Sequence, residues 1–149
     1  MKIKRIFSVL LAFALMLTYS QSAFAITGVG DTRDDAYQID YNNFVIGTLL
    51  DRPNDVDWYK ITNYSNEKFF LRIELVSDPY VNYDLIAYRP TPDGEREVAA
   101  LDQGQGKTDM VGFSFNPGDT VYFKVIGHNG AWGVPSLETY YTLNVSYYK

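Results

Sequence analysis

Lys68-Phe69-Phe70-Leu71-Arg72-Ile73-Glu74-Leu75-Val76 decides the fold. Phe69, Leu71, Ile73 and Leu75 recur at every second position, with Arg72 and Glu74 between them. A period of two sends alternate side chains to opposite faces of an extended strand, and here only one face is apolar. That face has to be buried against another layer. Val121, Phe123 and Val125 alternate in the same way with Tyr122 and Lys124. Tyr141, Leu143, Val145 and Tyr147 alternate with Thr142, Asn144 and Ser146. Strands with one apolar face each predict two antiparallel sheets packed face to face.

Extended segments are predicted at 44–49, 57–62, 68–76, 83–88, 98–101, 110–115, 120–127 and 140–147. Turn residues separate them. Asp51-Arg52-Pro53-Asn54-Asp55 breaks the first pair, and Pro90-Thr91-Pro92-Asp93-Gly94 breaks the fourth from the fifth. Asn116-Pro117-Gly118-Asp119 has Pro where φ is fixed and Gly where φ turns positive. About eight strands at regular spacing predict an all-β, antiparallel β-sandwich of the jelly-roll kind. A short helical turn is expected at 32–36, capped by Asp31.

The first 25 residues read as a signal peptide. Lys2, Lys4 and Arg5 precede an apolar run at 6–18, and Ala23-Phe24-Ala25 offers a small-residue cleavage site. Residues 26–149 are then a single domain. The chain carries 13 basic and 18 acidic residues. Cleavage removes three basic residues and no acid, which leaves 10 basic ones and a net charge of −8. Such a domain repels phosphate backbones and anionic bilayers, so neither nucleic acid nor a membrane is an expected partner. No later segment is apolar for long enough to cross a bilayer. The expected product is secreted, extracellular or associated with the cell wall. With no cysteine, disulfides, thiolate metal sites and cysteine nucleophiles are excluded. A single histidine rules out multi-histidine metal centres.

Several motifs resemble the bacterial pre-peptidase C-terminal domain. They begin with Gly30-Asp31-Thr32-Arg33-Asp34-Asp35-Ala36, Gly47-Thr48-Leu49 and Asn54-Asp55-Val56-Asp57-Trp58-Tyr59-Lys60-Ile61. Tyr83-Asp84-Leu85-Ile86-Ala87-Tyr88, the run from Pro117 to Val125, and Tyr141-Thr142-Leu143-Asn144-Val145 follow in the same order. The collagen-binding modules of clostridial collagenases look similar. The resemblance implies a jelly-roll sandwich that assists secreted hydrolases and carries no catalysis. No peptidase precedes the domain here, so a stand-alone module is expected, accessory at most to a separate secreted hydrolase. Collagen binding does not carry over, because no binding surface matches residue by residue. The resemblance also implies calcium, held between the acidic segment before the first strand and the Asp-rich turn. Asp31 and Asp57 match its acids, and Asn54 stands where a further acid belongs. Gly28 and Gly30 stand where good calcium binders have Glu or Asn. Two carboxylates and an amide make a weak site. The other reading is that Asp57 bonds turn amides while Tyr59 packs inward. Asp34, Asp35, Asp51 and Asp55 read as a solvated edge.

No serine after position 25 lies in a nucleophile elbow, and His128-Asn129-Gly130 reads as a surface turn, so no catalytic residue is expected. The loop from His128 to Thr139 is long for a hairpin and contains Trp132. Trp132 either caps the core or anchors a ligand. Alternation turns Tyr122 outward, along with Tyr140, and a tyrosine-rich face suits sugar or peptide stacking. Trp132, His128 and Tyr122 are therefore the candidate ligand-binding residues. The expected function is a non-catalytic binding module for an extracellular polymer or protein surface. The alternative is a structural or assembly protein of the envelope or matrix.

Overall fold

The alternation around Lys68 becomes a strand whose inward side chains are sealed from water: Leu71, Ile73 and Leu75 are all buried. The computed structural model describes residues 30–40, 44–133 and 139–149. Residues 1–25, expected to be a signal peptide, Gly28 and the part of the long loop from Val134 to Glu138 lie outside the described residues. Nine strands follow in order: β1 (Tyr37–Ile39), β2 (Phe44–Thr48), β3 (Val56–Thr62), β4 (Phe69–Ser77), β5 (Tyr83–Thr91), β6 (Gly94–Ala99), β7 (Thr108–Phe115), β8 (Thr120–Gly127) and β9 (Tyr141–Tyr148). One sheet has the order β1-β3-β8-β5-β6 and the other β2-β9-β4-β7.

The pairing is nested. β2 pairs with β9, β3 with β8, β4 with β7 and β5 with β6, all antiparallel. This is one long hairpin rolled up so that successive rungs fall in alternate sheets, which is the jelly roll the turn spacing predicted. Ile61, Leu85, Val121, Phe123 and Val125 from one sheet meet Leu71, Ile73, Phe113, Phe115 and Leu143 from the other in a single core. Burying a side chain of this size contributes about 1.5–3 kcal/mol. The turn at 116–119 forms as read: Gly118 has φ +80° and the Asp119 N–H donates to the Asn116 carbonyl at 3.1 Å.

Three expectations need correction. β1 is a ninth strand, too short to show a period, and it adds to β3 in parallel through Tyr37↔Tyr59. The strand expected at 98–101 is β6, which starts earlier at Gly94 and pairs Thr91↔Gly94 across a two-residue loop. Its charged residues Glu95, Arg96 and Glu97 are all exposed on an edge strand, so no alternation announces it. The segment at 32–36 forms turns and no helix. There the Thr32 hydroxyl and carbonyl both face the Asp35 N–H, while Asp31 is drawn away to Arg52.

Candidate functional site

The cleft that joins two of the three candidate ligand residues is built at the end of β8. Gly127 closes the strand, and His128–Gly130 forms a 3₁₀ turn in which Asn129 takes φ +53°. The chain then doubles back so tightly that a Cβ on Gly127 would stand 1.6 Å from the Ala131 carbonyl oxygen. Only glycine leaves that space open. The turn is fixed from outside by the His128 N–H, which donates to the Asn82 carbonyl at 3.0 Å. The Gly133 N–H donates to the Leu50 carbonyl at 2.7 Å, and Gly133 itself is buried. Trp132 is thus held between two anchored neighbours and remains 40% exposed. It does not sit in the core.

Trp132 and His128 line one cleft of about 530 Å³ together with Tyr80, Gln105, Asn129 and Thr139. Tyr80, at 73% exposed, offers a second aromatic ring at this site. The arrangement combines aromatic faces for stacking with amides for hydrogen bonding, in a volume typical of ligand sites. The His128 ring turns to two acids. Its Nδ1 lies 3.1 Å from Asp84 Oδ2 and 3.3 Å from Asp102 Oδ2.

Tyr122 is not part of this cleft. It lies on the outer face of the five-stranded sheet, where the guanidinium of Arg33 stands 4.2 Å from its ring centroid. Trp58 and Tyr88 stack beside it, with centroids 5.4 Å apart, and Lys124 lies 5.2 Å from the Trp58 ring. Arg33 also bonds Glu95 on β6 at 2.5 Å. The N-terminal segment therefore straps an aromatic and cationic face. Neither Trp58 nor Tyr88 stands out in the sequence as a site residue, although each alternates with a buried neighbour, which is the signal that could have placed them on the outer face. Nothing in the local sequence pointed to Arg33.

The acidic edge departs from expectation. Asp31 accepts a short hydrogen bond from the Arg52 guanidinium, which also lies 3.5 Å from Asp55 Oδ1. Asp55 is buried and takes no part in a solvated edge, because its Oδ2 accepts the Asp51 N–H at 2.9 Å and closes the turn. Among the described residues Asp57 bonds no turn amide. Its carboxylate accepts from the Tyr141 hydroxyl, across the interior from β9. Burial pushes the Asp57 carboxyl up to about 7, against the pull of the Tyr141 hydrogen bond, and Asp55, Asp31 and Asp51 add to the rise. The Asn54 Oδ1 lies beside Gly130, where a Cβ would meet it at 3.4 Å. Asp31 and Asp57 thus spend oxygens on separate partners, and a guanidinium holds the place between strap and turn. Among the described residues, three acid or imidazole ligand atoms come within 4.8 Å of one another only at Asp84, Asp102 and His128.

No protein-family model and no curated protein matches the chain. Among solved structures, the chain is similar to the pre-peptidase C-terminal domain of collagenase from Bacillus anthracis. Identity is 16% over 74% of this chain and 94% of that one, with a TM-score of 0.53. It is also similar to PliG, a periplasmic lysozyme inhibitor of g-type lysozyme from Salmonella Typhimurium, at 10% identity over 76% and 99% of the chains and a TM-score of 0.46. The Yersinia pseudotuberculosis-derived mitogen matches at 13% identity over 71% and 86% of the chains, with a TM-score of 0.49. The first likeness establishes the fold, a sandwich of the pre-peptidase C-terminal kind. Among the described residues no helix is long and apolar enough to cross a membrane.

Proposed function

We propose that the chain is an exported, non-catalytic module that binds an extracellular polymer or protein surface, and that the ligand lies against Trp132. One observation carries this reading: Trp132, Tyr80 and His128 line one cleft on a rigid sandwich, with Gln105 and Asn129 among them. Aromatic anchors in such a setting are the usual centres of binding energy. A non-catalytic role is supported by the surroundings of His128, whose described ring contacts are two carboxylates and no nucleophile. The fold is shared with a domain of a collagenase, which supports a role beside a separate secreted hydrolase. Co-sedimentation of residues 26–149 with peptidoglycan, chitin and fibrous collagen tests the proposal. Saturable retention on one of them is expected. Retention on none, or retention that Trp132→Ala and Tyr80→Ala both leave intact, would contradict it.

The second reading, a structural or assembly protein, is favoured by one separate observation. Phe70, Met110 and Tyr148 are each about half exposed on the outer face of the four-stranded sheet. Phe70 stands directly across from Tyr148 in the β4–β9 register. An apolar patch there suits a second copy. Sedimentation velocity over a range of concentrations separates the readings, since assembly requires the mass to rise with concentration.

A further inference from the structure

Three segments far apart in sequence bring Asp84, Asp102 and His128 to one end of the five-stranded sheet. Asp84 is on β5, opposite Ile126 of β8. His128 follows β8 directly, and Asp102 lies in the loop after β6. The His128 Nδ1 is 3.1 and 3.3 Å from the two oxygens of Asp84 and 3.3 Å from Asp102 Oδ2. A single Nδ1–H can serve one of these oxygens well and leaves the others facing each other's charge. A metal ion bonded to imidazole and carboxylate at about 2.0–2.2 Å holds neighbouring ligand atoms roughly 3.0–3.5 Å apart. The observed separations are of that size.

The surroundings favour a cation. Asp102 is aimed by its other oxygen, which accepts the Gly104 N–H at 2.7 Å and the Asn82 side-chain amide at 3.2 Å. Such outer hydrogen bonds are what orient a metal-binding carboxylate. Among the described residues, the ion pairs of Asp84 and Asp102 are both with the same imidazole, and neither includes lysine or arginine. A third carboxylate adds to the excess. Asp109 is 3% exposed, its Oδ1 accepts the Gln103 N–H, and among the described residues its Oδ2 has no hydrogen-bond partner within ordinary geometry. Asp102 and Asp84 both act on it electrostatically, after the larger effect of burial. Three carboxyl groups thus gather at this corner around one imidazole.

We propose that Asp84, Asp102 and His128 bind a divalent transition ion of the zinc class, with the remaining coordination positions open to water or ligand. One nitrogen and two carboxylates suit zinc-type ions, whereas calcium prefers an all-oxygen shell. This site is separate from Asp31, Asn54 and Asp57, and it stands whether or not the cleft binds a polymer.

The test is calorimetric titration of tag-free residues 26–149 with zinc chloride, repeated with calcium chloride. Tag-free protein is needed because His128 is the only histidine in the chain. One zinc ion per chain is expected, with no saturable calcium binding. His128→Ala and Asp102→Asn should each weaken zinc by about tenfold or more. Asp57→Asn should leave zinc affinity unchanged. His128 and Asp102 are both partly exposed, so circular dichroism should find both variants folded. Absence of saturable zinc binding to the wild type would overturn the proposal, as would equal affinity in His128→Ala and Asp102→Asn.

Discussion

The Tyr141 hydroxyl donates to the Asp57 carboxylate in the interior, and this bond joins the two sheets. Tyr141 is on β9 and Asp57 on β3. Because the Tyr141 hydrogen is committed to Asp57, the Tyr59 hydroxyl donates to Tyr141, at 2.6 Å. The relay places a carboxyl group, 6% exposed, beside two phenols whose ionisation is itself pushed upward by burial.

Stability is expected to fall as pH rises from about 4 to about 7, then to level off for this group. Asp57 has its folded-state value raised to about 7, so folding favours the protonated form. Its contribution is fully present below the ordinary carboxylate range and is lost as pH rises through the folded value. The loss is roughly 4 kcal/mol at most. Asp57→Asn keeps an acceptor for Tyr141 and removes the charge. Urea unfolding at a series of pH values should give a flatter profile for the variant, which should match or exceed the wild type near pH 8. An unchanged slope would show that Asp57 does not titrate in this range.

Tyr141→Phe is expected to destabilise at every pH. It leaves the Asp57 and Tyr59 polar atoms buried without this partner, which costs about 1–3 kcal/mol. The urea midpoint reads it directly. An unaltered midpoint would mean that the relay adds nothing between the sheets.

Why the strands were legible and the polar residues were not follows from where each signal resides. β4, β8 and β9 have a buried residue at every second position through most of their length, so their own sequence reports the sheet they face. β1 and β6 are edge elements held by a neighbour's register, and three residues or a run of charges carry no period. Trp132 and His128 were legible as a pair because one loop contains both. Asp84 and Asp102 were not, since only the β5–β8 register and the loop after β6 bring them to His128. Asp55 reads as part of a solvated edge and Asp57 as a calcium ligand or a turn residue, because composition does not report burial, and their partners come from a turn or a distant strand.

Calcium is expected to leave the melting temperature unchanged. The Arg52 guanidinium already bonds Asp31, and Tyr141 already bonds Asp57. A ligand at 100 times its dissociation constant would stabilise the folded state by about 2.7 kcal/mol. A melting scan in millimolar calcium against chelator would detect such an effect. A clear upward shift, abolished in Asp31→Asn, would contradict this and place a cation between strap and turn.

Gly127→Ala is expected to disrupt the cleft. The new Cβ would overlap the Ala131 carbonyl, so the segment from His128 to Trp132 has to move. Overpacking of this kind costs about 1–3 kcal/mol. The urea midpoint should fall and polymer retention should drop together. Retention at wild-type strength would show that the ligand does not use this turn.

The most direct test of a binding role centred on Trp132 is to measure affinity and melting temperature together on Trp132→Ala, using the polymer that retains the wild type. An aromatic hot spot is worth about 2 kcal/mol or more. Affinity should therefore weaken roughly thirtyfold. Because Trp132 is partly exposed on the cleft wall, the melting temperature should hardly change. A variant that binds as tightly as the wild type but melts well below it, with a loss of about 3 kcal/mol, would make Trp132 a core cap and contradict the placement of the ligand in this cleft.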